Sequence, residues 1–236
     1  MITVITPTTG KDSLYNSIAS LKSQSSSIPI RHLILWDNKR EDDFLFPLDG
    51  RTNTKLPEEL ECEEGAYSSN CIVIKDNFIQ GRAAGSALRA IGLMAVNTKY
   101  VTFMDDDVMW DSEHLESIIK TLEDGDKEWA YCKRRIWAPT EDAYECLGID
   151  EFESVGEKAT TPYKMVDNNS MVFKKKYGFS AACLYRNTSE YNDDRLMYEF
   201  LKKYAGEPVL TNRATVNQVC PDRLIQFFRT QCTKED

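Results

Sequence analysis

The chain has 236 residues, 42% hydrophobic and 11% aromatic: enough apolar material for one sizeable core and too much for intrinsic disorder. Its 29 basic residues stand against 38 acidic ones, a net charge of −9 that argues against a general role in binding nucleic acid. Apolar runs are of strand length, too short for a membrane-spanning helix, and seven cysteines without a CxxC pair fit reduced cytosolic thiols better than a disulfide framework or a zinc site.

The chain opens on strand-like Ile2-Thr3-Val4-Ile5, so no signal peptide is expected. Residues 2–6 predict a short buried strand and Thr6-Pro7-Thr8-Thr9-Gly10 a turn, after which Asp12 or Ser13 caps a helix with Leu14, Ile18 and Leu21 on one face. Residues 32–36 predict a second strand that ends in Asp37-Asn38. Residues 39–70 are acidic and aperiodic and read as a long surface loop or insertion. A third strand, residues 71–74, ends at Asp76-Asn77, and a helix over 82–96 places Leu88, Ile91 and Ala95 on one face. The fourth strand starts at Tyr100 and carries Asp105-Asp106-Asp107; the helix after it is marked by Leu115, Ile118, Ile119 and Leu122. Residues 128–137 and 163–173 predict longer strands, and 193–204 an amphipathic helix with Leu196, Phe200, Leu201 and Tyr204. Alternation of strand and helix in the first half predicts a mostly parallel, doubly wound sheet in one α/β domain over residues 1–236.

The acidic triplet is the most telling feature. A buried strand that ends in carboxylates presents them at the carboxyl edge of the sheet, where open α/β folds bind ligands. Two unit charges about 4 Å apart interact by about 4 kcal/mol at an effective dielectric of 20, so three adjacent carboxylates call for a counter-charge. A divalent cation carrying a phosphate supplies one. At least one of the three is therefore expected to be metal-bound, or to have a raised pKa when empty.

The order and spacing of these residues resemble the GT-A glycosyltransferases, family 2-like, over most of the chain. Thr6-Pro7-Thr8 is similar to the turn of the opening strand that approaches the nucleotide; Asp37 matches the acidic residue that contacts base or ribose, and Asp76-Asn77 the family's position after the third strand. Arg89 and Gly92 resemble the Arg-x-x-Gly that precedes the acidic motif, and Asp105-Asp106-Asp107 resembles the DxD motif. Asn168-Asn169-Ser170 and Gly178-Phe179 resemble the later polar strand and Gly-Phe turn, and Asn192-Asp193-Asp194 the acidic pair that supplies the catalytic base. Two departures stand out: Asp193 replaces the commoner Glu, and residues 212–217 lack the His that many members place there.

The resemblance implies a GT-A fold, Rossmann-like with a mixed sheet flanked by helices, whose residues 1–110 bind the nucleotide sugar and whose residues 111–236 bind the acceptor. It implies metal-assisted, inverting transfer of a sugar from a nucleotide-diphosphate donor, UDP being the expected nucleotide, to a hydroxyl of a glycan or glycosylated acceptor. Mn²⁺ or Mg²⁺ is the expected cofactor, ligated by Asp107 and by Asp105, which otherwise orients ribose or sugar. Asp106 is expected to turn off the strand face and steady the turn among the donor-binding group of Thr6, Pro7, Thr8, Asp37, Asp76, Asn77 and Arg89. Asp194 is the candidate base and Asp193 its understudy. A cytoplasmic location is expected, free or peripheral to a membrane. Two other classes stay open on the sequence: a haloacid dehalogenase-type phosphatase, which also uses Asp-x-Asp after an apolar strand, and a non-catalytic nucleotide- or glycan-binding module on the same fold. Of the tryptophans, Trp110 and Trp137 are the best placed to stack on an acceptor.

Overall fold

A computed structural model describes residues 1–37, 71–76, 84–141, 143–150, 165–185 and 193–233. The predicted loop at 39–70 lies outside these residues, as do Asn77 and Asn192. The elements in chain order are β1 (Ile2–Thr8), α1 (Leu14–Lys22), β2 (Ile30–Asp37), β3 (Cys71–Asp76), α2 (Ala84–Ala95), β4 (Tyr100–Phe103), β5 (Val108–Trp110) and α3 (His114–Asp124). They continue with β6 (Trp129–Pro139), β7 (Tyr144–Asp150), β8 (Met171–Lys174), α4 (Gly178–Tyr185), α5 (Asp193–Ala205), β9 (Val209–Val219), α6 (Ile225–Gln231) and β10 (Cys232–Thr233).

The strands form a mixed sheet. β3, β2, β1 and β4 run parallel in that spatial order, and β8 joins β4 antiparallel. β6 is the hub of the second half: residues 129–131 pair with β8, residues 135–139 with β7, and its other edge takes β9 in parallel. β9 in turn pairs antiparallel with β5. β1 is buried along its whole length, as a parallel strand covered on both faces must be. Its alternation divides the core: Ile5 faces the layer with α2, α4 and α5, while Ile2 and Val4 face α3 and the end of α1. Among the described residues no helix is long and apolar enough to cross a membrane.

Several local expectations shift. β1 continues through Thr8, so Thr6-Pro7-Thr8 is strand and the turn begins later. Ser13 holds the cap position of α1 without a side-chain cap bond. The strand expected over 163–173 is limited to Met171–Lys174, preceded by a 3₁₀ turn at Asn168–Ser170. On α5 the buried stripe is Met197, Tyr198 and Leu201, and Tyr204 is exposed, so the helix is rotated relative to the face that Leu196 and Phe200 suggested. Trp110 is buried and stacked on His114 at 4.3 Å, which removes it as a sugar platform.

α2 shows why such a stripe is misjudged. It buries Leu88, Ala90 and Leu93, with Ile91 packed partly against the same core and Ala95 exposed, because Gly92 is itself part of the contact. A Cβ at Gly92 would lie 2.6 Å from Ile5 Cγ2, a β-branched atom with little room to swing. Gly92→Ala is therefore expected to destabilise the fold by about 1–2 kcal/mol, overpacking outweighing the gain in helix propensity. Thermal unfolding should show a midpoint several degrees lower; an unchanged or raised midpoint would show that α2 does not need the close approach.

Candidate functional site

The acidic triplet occupies the turn from β4 to β5, closed by the Val108 N–H donating to the Asp105 carbonyl at 3.3 Å. Each carboxylate meets a different partner. Asp105 takes the Arg89 guanidinium on Oδ1 and Asn169 Nδ2 on Oδ2 at 3.1 Å, while its own N–H donates to Asn169 Oδ1 at 2.6 Å. Arg89 stands one turn before Gly92, so the close approach of α2 to β1 sets the reach of the guanidinium. The Arg-x-x-Gly spacing is thus a packing device and a charge delivered together.

Asp106 is buried, and Thr8 Oγ1 donates to its Oδ2 at 2.7 Å. Its Oδ1 lies 3.0 Å from Lys11 Nζ, which also donates to Asp107 Oδ2 at 2.8 Å. Lys11 reaches both because Gly10 turns the chain with φ +85°, a conformation other residues rarely adopt, and donates its N–H to Thr8 Oγ1 at 2.9 Å. Burial raises the Asp106 carboxyl pKa, Lys11 opposes that rise and Asp107 adds to it, with a net upward shift. This is the raised carboxylate the sequence called for. Burial pulls the Lys11 ammonium down, but Asp106 and Asp107 more than reverse it, so Lys11 stays charged.

Pro7, Thr8, Lys11, Arg89 and Asp105 to Asp107 line a cavity of about 210 Å³ at the carboxyl edge of β1 and β4. Other expected residues fall elsewhere. Thr6 does not reach the cavity: it is fully buried, with Oγ1 bonded to His32 Nε2 at 2.8 Å. Burial holds that imidazole neutral, its pKa lowered to about 3. Asp37 is buried at the end of β2, in register with Asp76 at the end of β3. The contacts within the triplet differ from those expected. Asp106, expected to turn away, shares a cation with Asp107, whereas Asp105 is engaged by Arg89 and Asn169.

Asp193 and Asp194 open α5 close to this group. Asp193 Oδ2 accepts from Ser86 Oγ and lies 3.6 Å from Arg89. Asp194 is half-buried and accepts the Asn168 N–H at 3.1 Å. Its carboxyl is pushed up to about 7, first by burial and then by repulsion from Asp167, with Arg89 pulling the other way. Below it Arg134, itself buried, donates Nε to Asp150 at 2.8 Å, and its Nη1 pairs with Asp167. Asp167 in turn takes the N–H and Nδ2 of Asn169, both at 2.7 Å. Sequence reading missed Lys11, Ser86, Arg134 and Asp167. One signal was available: three carboxylates need cations, and Lys11 is the first basic residue after the opening strand.

Asp106 and Asp107 converge on one nitrogen, so the geometry already marks a cation position with two carboxylate oxygens. That donor set suits Mn²⁺ or Mg²⁺ when diphosphate and water complete the shell. Among the described residues no group of three or more His, Cys, Asp or Glu side chains could hold a metal.

A sequence model of glycosyl transferase family 2 matches residues 3–146, more than half the chain. No curated protein matches it. Among solved structures, S. aureus TarS 1-349 superposes with a TM-score of 0.60 at 15% identity, covering 92% of this chain and 60% of that one. The same fragment in complex with UDP-GlcNAc gives 0.59 at 14%, covering 94% and 59%, and in complex with UDP gives 0.54 at 15%, covering 96% and 62%. At such identities the likeness concerns the fold, and this chain spans about 60% of TarS 1-349.

Proposed function

The chain belongs to glycosyl transferase family 2 and has the GT-A fold; from that premise we propose that it moves a sugar from a nucleotide-diphosphate donor, UDP-linked, to a hydroxyl of a glycan acceptor. Membership in the family sets aside the phosphatase reading. The observation that carries the proposal is the cavity at the sheet's carboxyl edge, where Lys11, Arg89 and the acidic triplet meet beside an Asp194 whose carboxyl is pushed up to about 7. In this reading residues 1–110 hold the donor, residues 111–236 hold the acceptor, and the whole is one domain.

The acceptor oxygen attacks the anomeric carbon as the bond from that carbon to the diphosphate oxygen breaks. The bonding electrons leave with the diphosphate, and the acceptor proton passes to the Asp194 carboxylate. General-base help of this kind is typically worth about 10²–10⁴-fold, and a base with a pKa near the working pH serves best. One base and no covalent intermediate means inversion at the anomeric carbon. Asp105, fixed by Arg89 and Asn169, orients ribose or sugar. A Mn²⁺ or Mg²⁺ ion held by Asp106 and Asp107 would act as a Lewis acid on the leaving diphosphate.

Calorimetric titration of UDP, GDP and dTDP, in Mn²⁺ and in EDTA, checks the donor site. UDP with Mn²⁺ is expected to bind, and Asp107→Ala to weaken it by about tenfold or more, since every 1.4 kcal/mol is tenfold. Absence of binding by all three nucleotides in both conditions would end the donor reading.

A further inference from the structure

We propose that Lys11 is an exchangeable counter-cation: its ammonium holds Asp106 and Asp107 together until the donor arrives, then yields that position to the divalent cation entering with the nucleoside diphosphate. The inference rests on the nucleotide-sugar reading above and assigns a role to a residue that reading does not require.

The geometry has three parts. First, a single nitrogen serves both carboxylates, 3.0 Å from Asp106 Oδ1 and 2.8 Å from Asp107 Oδ2. A divalent ion using those same two oxygens would have to sit where the ammonium sits, so the two cations exclude each other. Second, the two cations at the cavity differ in mobility. Arg89 is 11% exposed and tied to Asp105 and Asp193, whereas Lys11 is 33% exposed, on a four-carbon stem at the cavity rim. Lys11 can leave and Arg89 cannot. Third, the charge balance asks for the exchange. Lys11 and Arg89 set against Asp105, Asp106 and Asp107 leave the wall with one net negative charge. That wall repels a bare diphosphate and accepts one that brings its own divalent ion.

Displacement does not waste the ammonium. It carries three N–H donors, of which the two carboxylates use two, and Lys11 itself lines the ligand-sized cavity. Once released it remains on the rim, within reach of the phosphate oxygens that gain charge as the sugar departs. Lys11 stays protonated throughout, so it shields that charge without taking part in the proton transfer to Asp194. Metal and nucleotide should consequently bind with positive coupling, each removing an obstacle to the other.

The test follows Mn²⁺ binding through loss of its free electron paramagnetic resonance signal, in wild type and Lys11→Met, with and without UDP. Without nucleotide, Lys11→Met is expected to bind Mn²⁺ about tenfold more tightly, because its competitor is gone. With UDP present the two proteins should differ less, since the variant also lacks the ammonium that moves to the diphosphate. A purely structural lysine would not produce a gain of affinity. Lys11→Gln, which keeps a polar group of similar length, should show the same gain and guards against a folding defect in the Met variant. Equal or weaker Mn²⁺ binding by both variants would overturn the inference. So would a gain that survives in Lys11→Met combined with Asp107→Ala, because the ion would then lie elsewhere. Failure of either protein to bind a nucleoside diphosphate at any Mn²⁺ level would overturn the donor reading instead, while the nucleotide-free comparison still decides the role of Lys11.

Discussion

Asp194→Asn is expected to lose about 10²–10⁴-fold in turnover while keeping its affinity for the nucleotide. The amide oxygen can still accept the Asn168 N–H, so the geometry survives and the proton acceptor does not. In the wild type the base must be ionised to act. Its carboxyl titrates at about 7, so kcat should rise with pH through that region and level off above it. Stability moves in the opposite direction. A carboxyl at about 7 in the folded chain and at the ordinary 3.8 when unfolded binds its proton more tightly in the fold. The folded state therefore loses stability as pH rises from about 4 to about 7, by an amount on the order of 2–4 kcal/mol. The Asn variant escapes that loss. It should melt several degrees above wild type at pH 8 and show no advantage at pH 3.5. A variant that keeps its turnover would reject Asp194 as the base. A variant that loses turnover but gains nothing at pH 8 would mean that Asp194 is not held near neutrality.

The parts of this site that sequence reveals are those whose causes are local. β1 and β4 are legible because buried parallel strands must be apolar throughout, and the carboxylates are legible because they follow such a strand. Arg89 and Gly92 are legible as a spacing, although the reason for the glycine, its contact with Ile5, needs three dimensions. Lys11 is not legible as a partner, because the carboxylate it joins lies 96 residues along the chain. Arg134 is hidden for the same reason. On β6 alternation puts it on the buried face with Cys132, Ile136 and Ala138, but the carboxylates that answer it there, Asp150 and Asp167, come from other segments. The stripe on α5 fails for another reason. Leu201 is buried as expected, but Met197 and Tyr198 are no more apolar than Leu196 and Phe200, and only the neighbours of the helix choose between them.

Arg134→Met is expected to be the most destabilising single change near the site. The guanidinium is buried and answers two buried carboxylates, Asp150 and Asp167, besides donating to Gln218 Oε1 at 2.5 Å. Methionine fills much of the volume, but it leaves both carboxylates without a counter-charge, a situation that typically costs about 3–5 kcal/mol. At roughly 2–4 °C per kcal/mol for a chain of this size, the melting midpoint at pH 8 should fall by more than about 6 °C. The change should also be felt in catalysis. Asp167 already pushes the Asp194 carboxyl upward, and Arg134 is the cation that answers Asp167. Without it the pH–rate profile should move to higher pH, a shift that simple loss of stability does not produce. Measuring kcat against pH at a temperature well below both melting points separates the two effects. An unmoved profile with a large loss of stability would confine Arg134 to holding the fold. A moved profile would make it the residue that sets the working pH of the base from beneath the site.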